Sequence, residues 1–166
     1  MRATDFIATH QLRDAFVANL LDTLVNQIVE QGDDLLRQAG VVFPSRSAST
    51  VLLLGGGRDL SVADIAKTLG HPHQLATQRV DMLIALGIAK RVDDPGDGRR
   101  KVVRLTPKGR RQLQKLEATL VLARSAIAAL FEETGCDLSA AALRAMQALE
   151  TKSLLERSRA IAAKAE

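Results

Sequence analysis

The chain has 166 residues and a formal net charge of +4, with 46% hydrophobic and 25% charged residues. That is the balance of a soluble globular protein long enough to bury a core of its own. Four Phe and no Tyr or Trp leave that core to Leu, Val, Ile and Ala, which favours helix packing over an aromatic-rich sheet. A single cysteine, Cys136, excludes an intramolecular disulfide framework. With no basic-then-apolar leader and no membrane-length apolar run, the expectation is a cytoplasmic protein with no membrane partner.

The charge is unevenly spread. From Arg58 to Arg111 there are twelve Lys/Arg against six Asp/Glu, whereas the remainder holds eleven basic and thirteen acidic residues. A local surplus of this kind suits a polyanionic partner, with a solvated basic surface as the alternative.

In chain order, Leu12, Phe16, Leu20, Leu24 and Ile28 recur at three-to-four spacing and predict one amphipathic helix from about Phe6 to Ala39, bent or divided at Gly32. Its apolar stripe serves a core, a dimer interface or both. Pro44 ends that segment, and Ser45 to Leu54 predicts a short helix stopped by Gly55-Gly56-Gly57. The three glycines lack the following Lys-Ser/Thr of a phosphate-cradling loop and read as a helix stop.

Ser61 and Asp64 have the spacing of a capping box, opening a helix with Val62, Ile65, Ala66 and Leu69 inward. Gly70 supplies a turn, and Pro72 starts a second helix. Ala76, Val80, Leu83 and Ile84 form its buried stripe. Its other face carries His73, Gln74, Thr77, Gln78 and Asp81, short or amide-bearing side chains suited to base edges, with Arg79 available to a phosphate. A merely solvated face is the alternative.

Ile88 to Val92 and Lys101 to Leu105 are β-prone runs around the turn cluster Asp93-Asp94-Pro95-Gly96-Asp97-Gly98. Arg99, Arg100 and Lys101 leave that loop, with Asp97 placed to orient an arginine. Thr106-Pro107 caps and starts a long helix with Leu113, Leu116, Leu120, Ile127 and Leu130 on one face. Gly135 ends it, and Ser139 is expected to cap one last helix bearing Leu143, Met146, Leu149 and Leu155.

An enzyme lacks its parts here: His10, His71 and His73 are the only histidines, and no nucleophile–base or paired-carboxylate spacing stands out. No cofactor or metal is expected, since Pro72 separates His71 from His73 with no nearby Cys or Glu. Cys136, in a turn between helices, reads as a bystander rather than a redox sensor. A winged helix that binds only protein is a further alternative, separated from DNA binding by salt dependence.

The wing sequence Asp97-Gly98-Arg99 followed by Leu105-Thr106-Pro107-Lys108-Gly109 resembles the wing of MarR-type winged helix-turn-helix regulators. LSVADIAKTLG and VDMLIALGIAKRVDDPGDGRR are similar to the same family's helices and first wing strand. The resemblance implies a mainly α protein with a small β-wing: a winged helix-turn-helix DNA-binding lobe plus a helical dimerisation domain. Residues 44–106 would form the lobe, and 1–43 and 107–166 the dimerisation segments. It further implies a homodimer on double-stranded DNA, reading a pseudo-palindromic operator as a repressor and released by a small-molecule effector. Asp97 and Arg99 would interact, with Arg99 in the minor groove, and Pro72 to Leu86 would enter the major groove. Leu12, Phe16, Leu20, Leu143, Met146, Leu149 and Leu155 are the dimerisation candidates. The chain departs from the family's pattern at Gly70-His71-Pro72-His73, where a Ser or Thr cap is more usual.

Overall fold

The computed structural model describes residues 3–94 and 96–165. In order the elements are α1 (Ala3–Thr9), a 3-10 turn at Arg13–Phe16, α2 (Val17–Gln38), a 3-10 turn at Ser45–Ser47, α3 (Ala48–Gly55), α4 (Val62–Leu69) and α5 (His73–Ala85). Strands β1 (Ala89–Asp93) and β2 (Lys101–Leu105) follow, then α6 (Pro107–Thr134), α7 (Leu138–Thr151) and α8 (Leu154–Ala165). The chain divides into two units, Met1–Val121 and Leu122–Glu166, with the boundary inside α6.

The first predicted helix is in fact two. The His10 ring accepts a hydrogen bond from the Leu12 N–H at 3.1 Å and lies between the rings of Phe6 and Phe16, at centroid distances of 5.4 and 5.9 Å. A ring that takes a backbone donor competes with the helical ladder, so the helix stops and restarts at Val17. At Gly32, by contrast, α2 runs through without a break. The next residue, Asp33, accepts from the Ser45 N–H at 2.6 Å and so fixes the turn that leads into α3.

The first unit has one core. Leu36, Val41 and Phe43 meet Val51 and Leu54 of α3, Ile65 of α4, Val80 and Leu83 of α5, Ile88, Val103 of β2 and Leu116 of α6. Ser61 and Asp64 form the reciprocal capping box expected of them, and Gly70 takes the left-handed conformation that closes α4, with φ 63°. Pro72 sits one position earlier than expected, as the cap of α5 with an extended ψ of 139°, so that His73 is the first helical residue. The strands pair antiparallel from Ala89 with Leu105 to Asp93 with Lys101. On its other edge β2 is bridged by Leu60, whose carbonyl accepts from the Val103 N–H at 2.8 Å.

The LTPKG sequence is a clasp between the end of α5 and the start of α6. The Thr106 hydroxyl donates to the Gly87 carbonyl at 2.7 Å and accepts from the Gly109 N–H at 3.0 Å. The Lys108 ammonium donates to the Leu86 carbonyl at 2.7 Å, satisfying one of the carbonyls that α5 leaves open. Gly109 is required by proximity, because a Cβ there would lie 2.0 Å from the Ile88 carbonyl oxygen. Three residues on, buried Gln112 accepts from the Val42 N–H at 2.9 Å and donates to the Gly40 carbonyl at 3.1 Å, fixing the loop after α2 to α6.

In the second unit the expected last helix is also two, and its cap is not Ser139. Asp137 caps α7 by accepting from the Ala140 N–H at 2.9 Å, which leaves Ser139 inside the helix. The chain then breaks at Lys152-Ser153, because Ser153 and Glu156 form a second capping box. Leu155 therefore belongs to α8. Arg157 donates to the carbonyls of Ala148 and Lys152, holding the first turn of α8 to the end of α7.

Candidate nucleic-acid interface

The polar face of α5 is the outward face of a helix whose inward row is Ala76, Val80 and Leu83, all buried. His73, Gln74 and Gln78 are exposed and offer ring nitrogens and amides to solvent. Their neighbours are engaged with the protein. The Thr77 hydroxyl donates to the His73 carbonyl at 2.9 Å, and Asp81 accepts from Arg91 of β1 at 2.6 Å.

Arg79 is partly buried, and one guanidinium nitrogen lies 3.1 Å from both ring nitrogens of His71. A nitrogen equidistant from both lies over the ring face rather than along a lone pair, so the contact is a cation stacked on a neutral imidazole. Burial, and then the charge of Arg79, hold the His71 imidazole below its usual pKa. Burial also lowers Arg79, with a further contribution from the charge of Arg46. His71 thus orients Arg79, while exposed His73, two residues along, faces solvent.

In the wing, Asp97 and Arg99 are joined through the backbone: the Asp97 carboxylate accepts from the Arg99 N–H at 3.0 Å. The arginine that acidic side chains orient is Arg100. It pairs with Asp94 at 3.0 Å and with Asp64, the capping carboxylate of α4. Asp64 is held below the usual carboxylate range, first by the Ser61 hydroxyl and backbone and then by Arg100. Lys101 pairs with its cross-strand neighbour Asp93. Arg99 is exposed, and no acidic side chain is recorded on its guanidinium among the described residues. Of these three adjacent cations, one therefore faces outward and two are braced.

The helix pair, the turn at Gly70 and the two-stranded wing define a winged helix-turn-helix. A family model described as the MarR family matches residues 43–100, from Phe43 to Arg100. This winged helix is a MarR-family domain. Solved structures extend the likeness of fold beyond the MarR segment. The Mycobacterium tuberculosis transcriptional regulator MosR, solved in complex with DNA, is 21% identical with a TM-score of 0.64, covering 82% of this chain and 98% of that one. BldR from Sulfolobus solfataricus is 18% identical with a TM-score of 0.58, covering 87% and 99%. CouR from Rhodococcus jostii RHA1, bound to p-coumaroyl-CoA, is 23% identical with a TM-score of 0.53, covering 71% and 87%. No curated protein matches the sequence.

Among the candidate dimerisation residues Leu12 is exposed and Phe16 and Leu20 are partly buried. The more exposed row of α2 is the neighbouring one, Val17, Leu21, Val25 and Ile28. Leu143, Met146 and Leu149 of α7 and Leu155 of α8 are exposed as well. Cys136 is exposed. Among the described residues no group of His, Cys, Asp and Glu is assembled for a metal, and no helix is long and apolar enough to cross a membrane.

Sequence reasoning missed the brace on Arg100 and the bidentate pair of Arg104 with Asp59, at 2.6 and 2.7 Å. Both join positions far apart in the chain, 36 and 45 residues, so no local spacing announces them.

Proposed function

We propose that the protein is a DNA-binding transcriptional repressor that acts as a homodimer on a pseudo-palindromic operator and leaves it when a small molecule binds. The observation that carries this reading is the pairing, on one MarR-type lobe, of an exposed amide face on α5 with an outward Arg99 on the wing. Gln74 and Gln78 suit adenine edges in the major groove, with His73 beside them. Thr77 and Asp81 line the same face, and Arg79, stacked on His71, is aimed at a phosphate. Arg99 suits the negative potential of a narrow minor groove, and Arg100 and Lys101 the flanking phosphates. The DNA-bound state of MosR and the ligand-bound state of CouR support the two halves of the proposal. The exposed apolar rows on α2, α7 and α8 support pairing with a second copy.

The test is an anisotropy titration of the purified protein on an inverted repeat from its own upstream DNA. Saturable binding to that repeat is expected, falling by orders of magnitude as salt rises from about 50 to 200 mM. Binding indifferent to salt, or equal on scrambled DNA, would remove the reading and favour a winged helix that recognises protein.

A further inference from the structure

The turn that leads into α3 carries a cation held by α2. Three hydrogen bonds tie Ser45-Arg46 to that helix. The Ser45 N–H donates to Asp33 at 2.6 Å, the Ser45 hydroxyl to the Val29 carbonyl at 3.3 Å, and the Arg46 guanidinium to the Asn26 amide oxygen at 2.9 Å. Asn26 is oriented in turn by Asp22, which accepts from its Nδ2 at 3.2 Å. Arg46 is exposed, so its guanidinium is positioned on the surface without being covered.

A second cation stands near it. The charge of Arg46 reaches Arg79 of α5 and adds to the burial that disfavours its protonated form. Arg79 is itself held on the His71 ring, 3.1 Å from both nitrogens. Both braces, the Asn26 amide and the imidazole, are neutral. Elsewhere in the lobe the arrangement is the opposite, since Arg91, Arg100 and Arg104 are each paired with an aspartate. No carboxylate is recorded on Arg46 or Arg79 among the described residues. A neutral acceptor orients a guanidinium and leaves its charge uncompensated, and two like charges side by side repel until an anion joins them. The fork of a guanidinium matches the oxygens of a phosphate. Here the side-chain freedom that binding would remove is already restricted.

We propose that Arg46 and Arg79 form a seat for one phosphate of the DNA backbone, with Asn26 and His71 as its positioning residues, an inference that rests on the DNA-binding reading. The seat adds a contact from outside α5 and the wing. One arm stands on the turn bonded to α2, and the other on α5. A single phosphate bridges them only while α2 and α5 keep their relative placement, so the grip on the backbone reports how the lobe is seated on α2. Because it touches no base edge, the seat supplies affinity and register and no sequence preference.

The experiment is an anisotropy titration of the full chain on its upstream inverted repeat, with single methylphosphonates, each removing one backbone charge, moved along the duplex. One phosphate in each half-site is expected at which neutralisation weakens the parent protein about tenfold. Arg46→Gln and Arg79→Gln should each weaken the unmodified repeat and scrambled DNA by about that factor, and both should be insensitive to the methylphosphonate at that one position. Arg99→Ala, on the wing, should keep the sensitivity. Asn26→Ala should weaken binding about threefold with the same phosphate still sensitive, since it removes a brace and no charge. Circular dichroism reports whether each variant is folded, and Arg46→Gln, at an exposed side chain, carries the test alone if Arg79→Gln is not. A scan with no sensitive phosphate, variants that stay sensitive there, or variants that lose sensitivity at two different phosphates overturn the seat and leave the regulator standing. A parent protein that binds no duplex removes both.

Discussion

Arg99, Arg100 and Lys101 are adjacent cations with different structural duties. Arg100 braces the wing to α4 through Asp64, and Lys101 pairs across the hairpin, while Arg99 faces outward. Arg99→Ala should therefore leave the fold intact, weaken DNA of every sequence about tenfold, and reduce the salt slope by about one, read by anisotropy. Gln78→Ala should instead narrow the gap between operator and non-operator DNA by about 1–3 kcal/mol. An Arg99→Ala variant that bound normally would sink the wing assignment. His71 has a pH signature of its own. Because its folded pKa is depressed, the unfolded chain binds a proton first. Stability is then lost as pH falls from about 6.5 toward the folded value, and levels off below it. Urea midpoints at about pH 7.5 and 5.5 should differ less in His71→Gln than in the parent protein. An equal acid loss in both would show that the stacked pair with Arg79 carries no such linkage.

At the scale of elements, the clasp makes its own prediction. Gly109→Ala drives a methyl into the Ile88 carbonyl and should cost about 1–3 kcal/mol by urea denaturation, and Thr106→Ala about 1–2 kcal/mol through the lost cap. A neutral Gly109→Ala would mean that α6 can back away from β1 freely. These elements were legible because their signals are local: Ser61 with Asp64, Thr106 before Pro107, and a turn cluster between two β-prone runs. The breaks at His10 and Ser153 were less so. At His10 a ring intercepts the Leu12 amide, an event that apolar periodicity does not encode. Ser153 with Glu156 uses the same capping pattern as Ser61 with Asp64, but the apolar spacing carries Leu155 on from the Leu143–Leu149 row and masks it. The brace on Arg46 was hidden for another reason. Asn26 lies 20 residues earlier in the chain, and Arg79 comes near only once α3 and α5 have packed into one core.

For the whole molecule, the informative surface is apolar. Val17, Leu21 and Val25 of α2 are each about half exposed, at 53%, 52% and 48%. Leu154 and Ile161 of α8 are about 70% exposed, at 71% and 70%. A monomer with such rows exposed invites association. Sedimentation should find a dimer, and Leu21→Glu/Val25→Glu should yield monomers of unchanged helical content. Losing one of two linked half-site contacts should then lower operator affinity about a hundredfold or more. A monomeric parent protein, or a double variant that remained dimeric, would assign these rows a different purpose.

The isolated Leu60 bridge ties the outer edge of β2 to the segment before α4, at the root of the two-stranded wing. Its consequence is kinetic. The Val103 amide, buried and bonded to the Leu60 carbonyl, can exchange its hydrogen only when the lobe itself opens, whereas amides near Gly96 and Gly98 need only the loop to loosen. Deuterium uptake should accordingly divide the hairpin into a fast tip and a slow root. On the proposed DNA reading, such a wing would refit its tip to grooves of different width within the lifetime of a single folded lobe.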